Sequence, residues 1–223
     1  MEKVLAIAVH PDDETLGCGG TLLKHYNSGD EVYWLIITKA NQKITSIPEI
    51  ENEQARYIKQ VANEYRFKKW AQLSFLTTEL DNYPLGGMIK SISDFIIDIK
   101  PSIIYFHNYS DVHSDHKVAF NAIYSCTKNF RYPFIERILL FETLSETEFA
   151  PALQSNAFVP NVFNDITPYI EKKLEIMKLF TTEQMEEPYP RSPSTIRALA
   201  RFRGSRIGVN YAEAFMLLFE KIQ

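Results

Sequence analysis

The sequence predicts an α/β fold in which a mostly parallel sheet carries helices on both faces. Two observations predict it. Strand-like and helix-like segments alternate from residue 3 to residue 141, and such alternation is typical of sheets built from β–α–β units. The composition, 45% hydrophobic and 23% charged over 223 residues, is that of a globular protein with one well-buried core. We therefore expect a single domain over residues 1–223.

The first β–α–β unit is the clearest. Residues 3–9 are a continuous apolar run without alternation, which favours a central strand buried on both faces. Residues 15–28 have the pattern of a helix that ends before Gly29, and residues 31–38 are a second run rich in apolar and β-branched side chains. Strand, helix and strand in immediate succession predict a right-handed crossover between neighbouring parallel strands.

The remaining elements continue the alternation. The pattern predicts helices over 49–66, 88–99, 115–126, 168–180 and 194–203, and strands over 73–76, 102–107 and 138–141. Ser194 is a candidate N-cap for the last helix. Residues 151–160 are predicted as a loop, and residues 211–219 as either helix or strand. This order of elements is that of a Rossmann-like fold.

Charge and cysteine usage exclude several classes of protein. The formal net charge of −4 argues against a general nucleic-acid binder. Two cysteines, Cys18 and Cys126, are too few for a disulfide framework. The apolar run before His10 is too short for a signal peptide or a membrane span. We expect a cytoplasmic protein with reduced thiols, no nucleic-acid partner and no stable membrane insertion.

Histidine and carboxylate side chains gather after two of the predicted strands. The first cluster is residues 10–14 (HPDDE), and the second is residues 107–116 (HNYSDVHSDH). Together they contain four of the five histidines. In an open α/β sheet, ligands bind outside the carboxyl ends of the strands. We therefore expect both clusters to lie at the same functional edge.

These residue types point to a metal site. Catalytic zinc is usually held by three histidine or carboxylate ligands, which leaves one position for water. His10, one aspartate of the first cluster and one histidine of the second would supply that set. A spare carboxylate beside them would suit a general base. Each cluster alone also fits a structural role, since carboxylates cap and stabilise helix N-termini. Because both clusters are expected at the same edge of the sheet, the metal site is favoured over the structural role.

Three stretches of the chain carry a recognisable pattern. They are AVHPDDE followed by LGCGGT over residues 8–21, the run DVHSDH over residues 111–116, and GVNYAEAF over residues 208–215. The pattern resembles that of the LmbE-like, or PIG-L, family of zinc-dependent N-deacetylases. The resemblance spans nearly the whole chain. The family removes acetyl groups from N-acetylated amino sugars, including N-acetylglucosamine attached to other groups.

The resemblance also implies roles for individual residues. It implies that His10, Asp13 and His116 hold the metal. It implies that Asp12 is the general base. His113 would polarise the carbonyl or stabilise the oxyanion, with Asp115 orienting the ring and favouring its charged form. Either Asp12 or His113 would protonate the leaving amine.

The C-terminal third carries a local excess of arginine. Residues 188–212 contain five arginines and no acidic residue. Guanidinium groups bind phosphate and carboxylate in bidentate fashion, so one interpretation is a rim that contacts an anionic substrate through Arg201 and Arg206, with Asp111 as a further substrate contact. The alternative is a solvated helix face.

Three hypotheses of function remain open at this point. The first is a hydrolase that uses one Zn²⁺ per chain to remove an acetyl group from an N-acetylated amino sugar, as a glycoconjugate or a sugar nucleotide. Iron or cobalt could occupy the same ligands. The second is an amidase acting on an amide-linked thiol conjugate. The third is a non-catalytic α/β domain that binds a nucleotide or a metal. Family members often form trimers or hexamers, so the resemblance also leaves a homo-oligomer open.

Overall fold

The structure, a computed structural model, describes residues 1–222. Its strands are β1 (Lys3–Ala8), β2 (Glu31–Lys39), β3 (Lys69–Leu76), β4 (Ile103–His107), β5 (Arg137–Phe141), β6 (Val162–Asp165) and β7 (Ala212–Glu220). Its α-helices are α1 (Asp13–Asn27), α2 (Ile50–Tyr65), α3 (Leu85–Ile99), α4 (Ser114–Ser125), α5 (Ile170–Met177) and α6 (Pro193–Ser205). None of these helices combines the length and the apolar composition needed to cross a bilayer.

All seven strands belong to one sheet with the order β3-β2-β1-β4-β5-β7-β6. The first five strands in that order pair in parallel, and β7 pairs antiparallel with both β5 and β6. The prediction of a mostly parallel α/β sheet is confirmed. The chain moves outward from β1 to β2 and β3, then returns to place β4 on the other side of β1. Such a reversal of strand order opens a crevice at the carboxyl ends of the two central strands.

Both faces of the sheet are covered, because successive residues of a strand point to opposite sides. Val4 and Ala6 of β1 pack into a core shared with α1, α2, α5 and α6. Leu5 and Ile7 pack into a second core with α3 and α4. All four side chains are fully buried. The prediction of a central strand at this position is confirmed.

Helix α1 lies very close to the sheet and is kinked. A Cβ atom at Gly17 would lie 2.1 Å from Cδ2 of Phe141, so a larger residue does not fit there. The backbone of Cys18 leaves helical geometry (φ −140°, ψ 15°). Beyond this kink, the N–H groups of Gly20 and Thr21 donate to the Glu213 carboxylate at 2.8 and 2.7 Å. The C-terminal strand therefore anchors the helix that begins at the predicted metal site.

The predicted and the observed elements differ mainly where a strand pairs with another strand that is distant in the sequence. Residues 212–220 form a strand, which settles the choice between helix and strand. The half-buried strand β6 was not predicted, because four residues show no clear period. Strand β3 begins at Lys69 rather than at residue 73, since its first residues lie at an exposed edge and are partly polar.

The start of α6 also corrects a prediction. Ser192, not Ser194, is the N-cap, and its hydroxyl accepts the N–H of Thr195 at 3.4 Å. Pro193 then occupies the first helical position, where the missing N–H of proline has no cost. Helix α5 is likewise shorter than the predicted 168–180, covering residues 170–177.

Candidate metal centre and its cavity

The two predicted clusters meet at the carboxyl edge of the sheet. His10 follows β1, Asp13 is the first residue of α1, and His116 lies in the first turn of α4, which follows β4. Because β1 and β4 are neighbours, His10 Nδ1 and His116 Nε2 lie 3.3 Å apart. Asp13 Oδ2 lies 3.5 Å from the same His116 nitrogen. Residues separated by more than a hundred positions thus converge on one point.

This group fits a divalent metal ion. Two nitrogens bound tetrahedrally to zinc at about 2.0–2.1 Å are about 3.3 Å apart, which is the separation of the two imidazoles here. One ligand atom from each of His10, Asp13 and His116 lies within 4.8 Å of the others. The carboxylate is held in place by the N–H groups of Val9 and His10, at 2.8 and 2.9 Å. We conclude that these three residues form a group that could bind a metal.

Each histidine of this group contacts a carboxylate through the ring nitrogen that points away from the other histidine. His116 Nδ1 lies 2.9 Å from Asp111 Oδ2, and His10 Nε2 lies 3.1 Å from Asp115 Oδ2. A carboxylate in this position fixes the tautomer and the ring orientation of a metal-binding histidine. It leaves Nδ1 of His10 and Nε2 of His116 to face each other. Although burial opposes protonation, the hydrogen bond to Asp115 and the neighbouring carboxylates raise the pKa of His10 to about 9.

The Asp115 carboxylate has a different partner from the one expected. It bonds to His10 and to the N–H of Thr78, the latter at 2.6 Å, rather than to His113. The backbone N–H of Asp115 orients His113 instead, donating to Nδ1 at 3.1 Å. Burial, together with the charge of His10, lowers the pKa of His113 to about 4. Because Nδ1 of His113 accepts the N–H of Asp115, the geometry favours a neutral ring with its proton on Nε2 over the charged ring expected from the sequence.

Asp12 lies beside the metal-binding group without belonging to it. Its Oδ2 accepts a hydrogen bond from Arg191 Nη1 at 3.1 Å, and the same nitrogen donates to Glu183 at 2.9 Å. Asp12 is only 3% exposed. Burial and the charges of Glu183 and Asp13 raise its pKa well above the usual range, while Arg191 opposes the shift. These surroundings give the Asp12 carboxylate a higher proton affinity than that of an ordinary aspartate.

A cavity of about 330 Å³ opens beside these groups, a volume suited to a small molecule. Its lining includes residues 10–13 and His113. The loop after β2 and the start of α2 form one wall, and the segment between α5 and α6 forms another. Wall residues include Asn41, Ile44, Ile47, Ile50, Gln54, Tyr57, Glu146, Thr182, Glu183 and Arg191.

The residues predicted to contact the substrate lie elsewhere. Asp111 is buried and is not among the residues that line the cavity, and its carboxylate contacts His116 instead. Arg201 is exposed and donates to Asn210 Oδ1 at 2.6 Å. Arg206 is exposed at the end of α6, and neither arginine lines the cavity. The reason is that α6 directs these side chains to solvent, away from the carboxyl edge of the sheet.

The cavity also contains residues that the sequence did not single out. Arg191 was noted only as part of the arginine-rich segment, and Glu183 and Glu146 were not noted at all. Arg191 reaches Asp12 across 179 positions of the chain, so no local pattern could pair them. Its Nε is buried without a hydrogen-bond partner in the described residues. A buried donor of this kind is rare in proteins and suits an oxygen atom of a ligand or water.

A model of the PIG-L family, described as GlcNAc-PI de-N-acetylase, matches residues 5–127. The chain belongs to the PIG-L family. The match confirms the resemblance noted in the sequence, and it contains both clusters that form the candidate metal centre.

Relatives of this PIG-L family chain include a diacetylchitobiose deacetylase from Thermococcus kodakarensis, 27% identical over 96% of this chain and 82% of the relative. The solved N,N′-diacetylchitobiose deacetylase from Pyrococcus horikoshii has a TM-score of 0.75 at 21% identity, covering 97% of this chain and 84% of that one. GalB, a 4-carboxy-2-hydroxymuconate hydratase from Pseudomonas putida, has a TM-score of 0.76 at 14% identity, covering 100% and 97%. Since deacetylases and a hydratase share the fold, activity must be argued from the site.

Proposed function

We propose that this chain is a zinc-dependent hydrolase that removes the acetyl group from an N-acetylated amino sugar. The proposal rests on one arrangement of side chains. His10, Asp13 and His116 form a group that could bind a metal, and a carboxylate contacts each of its two histidines. Asp12 lies next to this group in the cavity and is not part of it. Two imidazoles and one carboxylate are a usual ligand set of catalytic zinc. The deacetylase names of the relatives support the class of reaction.

The metal would be held by His10, Asp13 and His116. When bound, a divalent cation supplies Lewis acidity, which makes water more acidic and an amide carbonyl more electrophilic. Asp12 would accept the proton of the attacking water, because its raised pKa makes it a stronger base than an ordinary aspartate. Arg191 would hold the Asp12 carboxylate in position through the hydrogen bond to Oδ2.

His113 would stabilise the negative charge that develops on the carbonyl oxygen. Its Nδ1 already accepts the N–H of Asp115, so the neutral ring offers Nε2–H as a donor in the cavity. A donor held in place before the reaction stabilises the transition state without reorganisation. Asp12, having taken the proton, would deliver it to the leaving nitrogen, giving acetate and a free amine.

The proposal is tested by acetate release from a panel of N-acetyl sugars. We expect release by the zinc-loaded protein and none after chelation. Asp12→Asn should keep its zinc and lose about 10²–10⁴-fold in turnover. Near-normal turnover of that variant would contradict the role of Asp12 as base. Cleavage of an amide-linked thiol conjugate, with no release from any sugar, would favour the amidase hypothesis. Inactivity towards both classes would favour a binding domain.

Two predictions from the sequence accompany this proposal. A cytoplasmic location is expected from the short apolar run before His10 and from the two cysteines, and the family resemblance alone leaves a homo-oligomer open. Fractionation of cells that express the protein tests the first, and light scattering of the purified protein tests the second.

A further inference from the structure

We infer that the cavity selects uncharged substrates over anionic ones, and that Glu183 sets this preference. The inference rests on the proposed deacetylase function and names the substrate class. Within residues 1–222, four carboxyl side chains line the cavity, and Arg191 is the sole arginine or lysine among its lining residues. The carboxyl groups belong to Asp12, Asp13, Glu146 and Glu183. Arg191 is thus the one guanidinium or ammonium group among the lining residues that an anionic substrate could contact.

The positive charge of Arg191 is already neutralised. Its Nη1 bridges Asp12 Oδ2 at 3.1 Å and Glu183 Oε2 at 2.9 Å. A phosphate or carboxylate placed there would meet two carboxylates beside one guanidinium, and like charges brought together in a binding site are strongly unfavourable. The unpartnered Nε of Arg191 instead suits an uncharged acceptor such as a hydroxyl or carbonyl oxygen.

The two lysines near the cavity do not provide a positive charge for binding an anion. Lys39 lies 3.9 Å from Glu51, and Lys43 lies 3.9 Å from Glu79. Both lysine side chains are well exposed, at 39% and 76%, so solvent screens their charges. Neither lysine is among the lining residues, which on this side include Asn41, Ile44 and Ile47. This side of the cavity therefore offers uncharged side chains to an incoming anion.

The other arginines of the 188–212 segment do not line the cavity. Arg197 pairs with Glu171, and Arg203 pairs with Glu142. The structure therefore does not support the anionic substrate that the five arginines of this segment suggested. Local charge excess in the sequence did not reveal where each side chain points.

Glu183 is the acid that determines the preference, because the other three have further roles. Asp13 belongs to the metal-binding group, Asp12 is the proposed base, and Glu146 accepts the backbone N–H of His113 at 3.1 Å. Glu183 is 34% exposed and contacts Arg191 in the cavity wall. Replacing it with glutamine would leave Arg191 with a single carboxylate and would free positive charge for an anion.

The test compares the methyl and the carboxymethyl glycosides of N-acetylglucosamine, of which the second carries an additional carboxylate group. With zinc-loaded protein, we expect kcat/KM to be at least about tenfold higher for the methyl glycoside. Glu183→Gln should lower the ratio of the two kcat/KM values, methyl glycoside over carboxymethyl glycoside, severalfold. Glu186→Gln, which removes the same charge from an exposed position of the same segment outside the cavity, should leave the ratio unchanged.

Calorimetric titration of both glycosides into the zinc-loaded protein separates this inference from the proposed function. If neither glycoside releases acetate but the methyl glycoside binds more tightly, the charge preference stands and the proposed function fails. Equal or tighter binding, or faster turnover, of the carboxymethyl glycoside overturns the inference. If the ratio of the two kcat/KM values is the same in Glu183→Gln as in the unaltered protein, Glu183 is not the cause of the preference.

Discussion

His116 Nδ1 lies 2.9 Å from Asp111 Oδ2, and both side chains are completely inaccessible to solvent. The other carboxylate oxygen of Asp111 accepts the hydroxyl of Thr147 at 2.7 Å. Asp111 is therefore fixed on both sides. A carboxylate in this position favours the His116 tautomer with its proton on Nδ1, which would leave Nε2 for a metal ion. A residue predicted from the sequence to contact substrate thus contacts a histidine of the candidate metal centre instead.

Replacing Asp111 should weaken metal binding. In Asp111→Asn the acceptor for His116 Nδ1–H is partly lost, and we expect zinc affinity to fall about 10–100-fold. Competition with a chromophoric chelator measures this affinity. Asp81→Asn is the matched control, since Asp81 is an exposed carboxylate in the short turn before α3. Equal zinc affinities of Asp111→Asn and the unaltered protein would contradict the proposed support.

Replacing His113 should impair turnover without removing the metal. We expect His113→Ala to lower kcat about 10²–10³-fold, the usual effect of losing one donor to a developing oxyanion. His113→Gln, whose amide still donates a hydrogen bond, should retain more activity than the alanine variant. Zinc content measured by mass spectrometry distinguishes the roles, because loss of zinc from both variants would mean that His113 is itself a ligand.

Glu213 should be important for stability. It is 5% exposed and accepts hydrogen bonds from Gly20, Thr21 and Lys173, the last at 2.7 Å. Removing one partner of a buried ion pair leaves the other charge uncompensated, so Glu213→Ala should lower the free energy of unfolding by about 3–5 kcal/mol. Urea denaturation followed by circular dichroism measures this change.

The control for Glu213 is Glu220→Ala on the same strand. Glu220 pairs with Arg137 at 3.0 Å, but both side chains are 36% exposed. An exposed pair of this kind contributes about 0–1 kcal/mol. Similar losses in the two variants would show that the buried network does not anchor α1.

Chelation should destabilise the folded protein, since the metal ligands come together only in the native state. At a free zinc concentration one hundred times the dissociation constant, binding stabilises the fold by about 2.7 kcal/mol. For a domain of this size, chelation should then lower Tm by about 5–10 °C. Differential scanning fluorimetry measures the shift without requiring any activity. An unchanged Tm at saturating zinc would argue against a metal bound by His10, Asp13 and His116.

The order of elements and the placement of the two histidine clusters could be predicted because both depend on local patterns. The apolar run of residues 3–9 specifies a central strand, and a parallel sheet carries the residues after its strands to one edge. The roles of Asp111 and Asp115 could not be predicted in the same way. Both lie within the second cluster, and their spacing alone does not show which imidazole each carboxylate faces.

By itself, the sequence determined the α/β class, the family and the segments that form the metal-binding group. Only the tertiary structure decided that Arg191 pairs with Asp12, that Asp115 supports His10, and that residues 212–220 complete the sheet as a strand. The physical reason is that helix and strand periods and helix-start signals act over a few neighbouring residues. Hydrogen bonds between distant segments depend instead on strand order and on the direction of each side chain after packing.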